Sequence, residues 1–396
     1  MKRPTLEVAD IIRQTGNRFV ERNRTHLAWQ HLKVLRAIQN CRTAALGGHL
    51  DRCSHCSHRA ISYNSCRNRH CPKCQTQARD RWLAARSEEL LPVEYFHVVF
   101  TLPQALSALV LQNKSLLYNL LFRASAETLL ETAADSKHLG AKIGFLGILH
   151  TWGQTLHHHP HVHYVVPAGG FSADGSRWIA PERHGFFLPV RVLSRVFRGK
   201  FYDGLKRLFR SHRLQFHGAL RNLAGAKPFC QFLRSLFRQD WIVYAKRPFG
   251  GPEHVLHYLA RYTHRVAISD HRLLSFADGN VTFRWKDYAH GNKQRKMTLT
   301  ADEFLRRFLL HVLPRGLVRI RHFGILANRN RREHISVCRR LLVAEDPVRS
   351  PEIDKPPLRP CWSCPLCGGT MEPVEHLTSP QLARLLARWK RSVDSS

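Results

Sequence analysis

The sequence predicts an α+β protein, with helices on one side of an antiparallel sheet and a small cysteine-rich module ahead of it. Three observations carry this. Residues 94–102, EYFHVVFTL, are a nearly continuous apolar run, as a buried central strand requires. Residues 104–138 then place Leu and Ala at helical spacing, and a hairpin over 145–166 with one buried face brings the chain back to the sheet. Upstream, Cys53-x2-Cys56 and Cys71-x2-Cys74 form two metal-type knuckles.

In chain order, residues 1–40 read as a leading helical segment. Leu6, Val8, Ile11, Ile12 and Phe19, then Trp29, Leu32, Leu35 and Ile38, recur as one helical face would. Residues 41–92 form a zinc-binding domain whose end, 76–91, is a basic amphipathic helix stopped at Leu91-Pro92. Residues 93–344 form the main domain. Within it 171–188 read as a hairpin or loop, and 190–237 as an Arg-rich helical insertion. Its aromatics Phe197, Phe201, Tyr202 and Phe209 recur at helical spacing, which points to packing before base stacking. A short strand follows at 241–247, then strands over 272–300 around the turn Ala277–Asn280, and an amphipathic helix over 302–313. Residues 315–340 hold eight arginines and one glutamate, read as an electropositive surface for DNA backbone through Arg319, Arg321, Arg331 and Arg332. Residues 345–396 are an extended linker and a cysteine-containing tail.

Charge narrows the partner. Lys and Arg total 62 against 29 Asp and Glu, a formal +33. Such an excess repels itself unless a polyanion relieves it, and its spread over the whole chain argues for nucleic acid over a membrane surface. No apolar run approaches the roughly 20 residues of a membrane span, and the first residues lack a signal-peptide centre. A cytoplasmic, nucleoid-associated protein is expected. No GxxxxGK[ST] loop is present, so no nucleotide cofactor is expected.

Of eleven cysteines, six lie in 41–74 and three in 361–367, a clustering that favours metal over disulfides. The spacing predicts that Cys53, Cys56, Cys71 and Cys74 close one tetrahedral zinc site with a structural role. Cys66, His55, His58 and His70 are near enough to replace a ligand, and Cys41 reads as a buried residue. Arg67, Arg69 and Lys73, among the ligands, are assigned to DNA. Cys361, Cys364 and Cys367 read either as half a zinc site or as a knuckle closed by His376.

The chemistry centres on 148–170, ILHTWGQTLHHHPHVHYVVPAGG. His161 and His163 flank Val162 on a strand, so both imidazoles face one way. A turn at His157–Pro160 would pair Leu156 with His161 and Gln154 with His163, adding the Gln154 amide oxygen as a third donor. Two imidazoles and a carbonyl oxygen leave positions open for water or phosphate on Mg²⁺ or Mn²⁺. His157, His158 and His159 read as surface residues. Further on, residues 253–264, EHVLHYLARYTH, follow helix-start signals at Pro252 and Glu253. Tyr258 and Tyr262 share one helical face beside Arg261 and Arg265. Taken alone, such tyrosines are core residues. Beside a cation, a phenol attacks a phosphodiester and leaves a 5′-phosphotyrosine and a 3′-hydroxyl.

The Gln154, His161, His163 arrangement, the text YLARYTHRVAIS and the segment SCRNRHCPKC together resemble the two-tyrosine HUH (His-apolar-His) rolling-circle insertion-sequence transposases, over about residues 40–340. The resemblance implies a ferredoxin-like or RRM-like HUH sheet in the catalytic domain 93–344. It makes His161 and His163 metal ligands, Gln154 a third ligand, and Tyr258 and Tyr262 nucleophiles on single-stranded or hairpin DNA ends. A plasmid replication initiator or relaxase shares that chemistry, and a non-enzymatic zinc protein would share only the charge and the cysteines.

Overall fold

The computed structural model describes residues 4–183, 185, 187–249, 266–288, 290–345 and 362–393. They fall into two compact units, one drawn from the segments 1–84, 264–312 and 354–396, the other from 85–263 and 313–353. The units therefore cut across a division into consecutive domains. Along the chain the strands are β1 (Gly48–Cys53), β2 (Arg59–Tyr63), β3 (Tyr95–Thr101), β4 (Gly144–Trp152), β5 (His158–Pro167), β6 (Gly170–Phe171), β7 (Trp178–Ile179), β8 (Val243–Phe249), β9 (Leu273–Ala277), β10 (Asn280–Asp287), β11 (Lys293–Thr300), β12 (Ile320–Gly324) and β13 (Met371–Leu377).

The second unit is built on a five-stranded sheet in the order β12-β4-β5-β3-β8, antiparallel at every pairing. Strand alternation sorts its residues into two faces. Phe96, Val98 and Phe100 of β3, Phe145 and Leu149 of β4, and Val162, Tyr164 and Val166 of β5 enter one apolar core. The helices Lys114–Ala134 and Val190–Arg210 pack onto that face, and Phe229, Leu233 and Leu236 of the helix Ala226–Phe237 join the same core. The first two helices approach closely at Gly204, where a Cβ would meet the end of the Leu120 side chain and push it aside. Phe197 and Phe201 are fully buried, as their spacing predicts, with ring centroids 5.3 Å from that of Trp241. The core's polar atoms are paired: Tyr164 Oη lies 2.7 Å from Ser125 Oγ.

Phe100 sits at the centre of that core, edge-on to Phe197 at 5.0 Å and to Tyr164 at 5.8 Å. Phe100→Ala deletes a buried ring from a rigid layer and should cost about 3–5 kcal/mol, visible as a lowered urea midpoint with the slope retained.

Two parts of the sheet depart from the sequence expectation. Ile320–Gly324, placed by charge on an open basic surface, pairs along β4 as the sheet's edge. Arg319 is only 9 % exposed and its carbonyl accepts from the Leu149 N–H, so it is no open phosphate contact. The hairpin register also differs. β4 and β5 pair His150 with His161, Ile148 with His163 and Trp152 with His158. Three residues of β5 advance against two of β4, which is a bulge around His159 and Pro160. Proline has no ladder N–H to offer and is tolerated at a bulge, so Pro160 does not end the strand. Gln154 consequently lies in the turn, not opposite His163. His158 is buried too, bridging Ser107 Oγ (2.8 Å) and Tyr118 Oη (2.9 Å).

In the first unit, β1 lies between β2 and β13, and β9, β10 and β11 form a second meander. Asp278 and Gly279 of the β9–β10 turn have φ of +50° and +73°, the left-handed pair that a tight hairpin needs. The helix Val8–Arg22 buries Val8, Ile11, Ile12 and Phe19, and its first N–H is capped from afar by Asp270 Oδ1 at 2.9 Å. Among the described residues no helix is long and apolar enough to cross a membrane.

Candidate active site and cysteine clusters

The face of the five-stranded sheet opposite the core carries histidines on three adjacent strands: His97 on β3, His150 on β4, and His161 and His163 on β5. Cross-strand pairing sets His150 directly beside His161, and the period of two sets His163 on the same face. His150, His161 and His163 offer ring nitrogens within 4.8 Å of one another. A third imidazole, His150 of β4, thus joins the two expected histidines, whereas Gln154 lies in the turn after β4 and not opposite His163. His150 stands there because the chain turns at residues 153–157, earlier than the expected His157–Pro160. Its signal was present in the sequence: residues 148–150, Ile-Leu-His, mirror the apolar-then-His alternation of β5.

Hydrogen bonds orient the rings of His161 and His163. His161 Nδ1 lies 2.7 Å from the His159 carbonyl, so that nitrogen carries the proton and Nε2 carries the lone pair. His163 Nδ1 lies 2.8 Å from His97 Nε2, with the two rings stacked at a 7° interplanar angle. His97, 5 % exposed, therefore holds His163 from behind, as partners of metal-binding histidines do. His150 is buried and His161 half-buried, so the trio opens on the His161 side. Tyr258, Tyr262, Arg261 and Arg265 lie outside the described residues.

The cysteines form two clusters, and neither is the expected set Cys53, Cys56, Cys71 and Cys74. Cys41, Cys66, Cys71 and Cys74 converge, with Cys74 Sγ 3.5 Å from both Cys41 Sγ and Cys66 Sγ. Cys53 and Cys56 belong to the other cluster, with Cys364 and Cys367. Each knuckle takes its second pair from elsewhere: Cys71/Cys74 from Cys41 and Cys66, Cys53/Cys56 from over 300 residues downstream. His376 pairs with His49 across β1 and β13 and is no ligand of either. Cys361 lies outside the described residues. Tetrahedral zinc with Zn–S near 2.3 Å holds its sulfurs roughly 3.8 Å apart, so the first cluster fits such an ion.

The residues assigned to DNA divide by exposure. Arg67 and Arg332 are exposed and Arg69 half-buried. Lys73 is not available: its Nζ lies 2.8 Å from Glu7 Oε2 and 3.1 Å from the Cys41 carbonyl, with 10 % of the side chain exposed. Arg331 pairs with Glu89 at 3.2 Å, and Arg321 is held over the Phe122 ring at 4.2 Å.

A family model described as "Putative transposase" matches residues 144–334, and one described as "Transposase zinc-binding domain" matches residues 11–102. "Putative transposase y4qJ" of Sinorhizobium fredii (strain NBRC 101917 / NGR234) is 55% identical over 350 residues, 88% of this chain and 87% of that protein. The transposase for insertion sequence element IS801 of Pseudomonas savastanoi pv. phaseolicola is 28% identical over 340 residues, 84% of this chain and 80% of that protein. The chain belongs to the IS801/IS91-type transposases.

As a rolling-circle transposase the protein cuts and joins DNA, the polyanion that its charge of +33 suits. Its zinc-binding domain explains the buried cysteine cluster as a structural zinc site. Two solved structures of the conjugative relaxase TrwC with oriT DNA align locally with the transposase. The metal-free one covers 28% of this chain and 44% of that chain at 18% identity and a TM-score of 0.23. The metal-bound one covers 29% of this chain and 44% of that chain at 17% identity and a TM-score of 0.24.

Proposed function

We propose that the transposase cleaves and rejoins single-stranded DNA ends by tyrosine transesterification, with a divalent ion held by His150, His161 and His163. The observation that carries this reading is the convergence of those three imidazoles on the open face of a rigid sheet. When bound, the ion supplies Lewis-acid polarisation of a phosphate oxygen. An all-imidazole donor set suits Mn²⁺ better than Mg²⁺, which prefers oxygen ligands.

Tyr258 and Tyr262 are the nucleophiles. The phenol oxygen bonds to phosphorus, the P–O3′ bond breaks, and the departing 3′-oxygen takes up a proton, leaving a 5′-phosphotyrosine. Each step exchanges one phosphoester for another, so no nucleoside triphosphate is consumed. Two phenols allow a second transfer while the first covalent link persists. Arg261 and Arg265 neighbour them in sequence and would bind the flanking phosphates.

The test incubates the full chain with single-stranded hairpin oligonucleotides of the element's ends and Mn²⁺. The expected result is a denaturation-resistant protein–DNA band that Tyr258→Phe with Tyr262→Phe eliminates. A band that survives the double substitution would overturn the tyrosine assignment, and folded protein giving no band with any divalent metal would overturn the reaction.

A further inference from the structure

We propose that Cys53, Cys56, Cys364 and Cys367 bind a second zinc ion, separate from that of Cys41, Cys66, Cys71 and Cys74, and that this ion latches the C-terminal strand onto the N-terminal module. Neither pair is a site by itself, since two thiolates leave a tetrahedral ion half-ligated. Together they supply four. Cys53 Sγ lies 3.4 Å from Cys367 Sγ, and Cys56 Sγ lies 3.6 Å from Cys364 Sγ. These separations approach the roughly 3.8 Å of sulfurs around one zinc and far exceed the ~2.05 Å of a disulfide.

The surrounding backbone is shaped for thiolates. The N–H groups of His55 and Cys56 both point at Cys53 Sγ, at 3.4 Å each. The opposing loop turns through Gly368, φ +74°, with the Gly368 N–H donating to the Cys364 carbonyl and the Cys364 N–H to the Gly369 carbonyl. A Cβ on Gly369 would stand 3.1 Å from Cys53 Sγ and 3.3 Å from Cys367 Sγ, so the chain passes where only glycine leaves the sulfurs room. The two loops are placed independently of any metal, because β13 pairs with β1 and sets Met371 opposite Cys53.

The two centres differ in access. Cys41, Cys71 and Cys74 are buried, whereas Cys56 and Cys367 are exposed. The composite site should therefore yield its ion first to a chelator.

Full-length protein purified without chelator should carry two zinc ions per chain by native mass spectrometry and elemental analysis. The chelator 4-(2-pyridylazo)resorcinol should withdraw one equivalent well before the other. Cys364→Ser with Cys367→Ser should lower the content from two to one and make the tail a trypsin target. One zinc in folded wild-type protein, or two in the double variant, would overturn the proposal. Should that variant not fold, iodoacetamide mapping on the wild type decides. Protection of Cys53, Cys56, Cys364 and Cys367 that chelation removes supports the latch; immediate alkylation of those four, with Cys41 and Cys71 protected, refutes it.

Discussion

Alanine at both His161 and His163 should abolish metal-stimulated DNA cleavage while leaving the sheet folded. Both side chains project away from the core that Val162 and Tyr164 enter, so that core is kept. Two of three donors disappear, and one imidazole does not hold a divalent ion. Lewis-acid assistance is worth several kcal/mol, and each ~1.4 kcal/mol is tenfold in rate, so cleavage should fall by roughly 10³ or more. Titration calorimetry should show Mn²⁺ binding lost as well. Substitution one layer back should be milder: His97→Ala frees the ring of His163 and should cost about 10–100-fold in metal affinity. Full activity in the double variant would remove the histidines from the mechanism.

Cys74→Ser should unfold the N-terminal module. Its sulfur touches both Cys41 and Cys66, and Cys74 itself is 6 % exposed, so no water replaces the lost ligand. Structural zinc contributes an apparent ~10–16 kcal/mol in small modules, as much as the ~5–15 kcal/mol stability of a whole domain. Zinc content should drop, and limited proteolysis should degrade the segment around residues 4–84. Cys230→Ser, at an exposed cysteine outside both clusters, should change neither.

Local pattern made much of this molecule readable. The apolar run 94–102 holds β3, Tyr95–Thr101, buried except at half-buried Val99, and the Ala277–Asn280 turn joins β9 to β10. His161 and His163 share a face because strand alternation is a short-range property. Pairings over long separations were not readable. Which knuckle meets which cysteine depends on β13 finding β1, and Ile320–Gly324 becomes a strand only because β4 offers it an edge. Cysteine arithmetic held a clue nonetheless: Cys364-x2-Cys367 repeats the spacing of Cys53-x2-Cys56, and eight clustered thiols are enough for two four-ligand sites. The third histidine was hidden for a different reason. The chain turns over residues 153–157, ahead of the expected His157–Pro160, and that turn together with the bulge sets His150, not Leu156, opposite His161.

The pairing of β1 with β13 also bears on how the protein matures on the ribosome. Cys53 emerges early, yet its sulfur neighbour Cys367 follows 314 residues later. The module that carries the N-terminal knuckles therefore waits, unfinished, for almost the whole of translation, while the helices and strands of the catalytic sheet up to Phe249 are already available to collapse. A frameshift or premature stop after the catalytic region would release a chain with its histidine site encoded but its first sheet short of an outer strand.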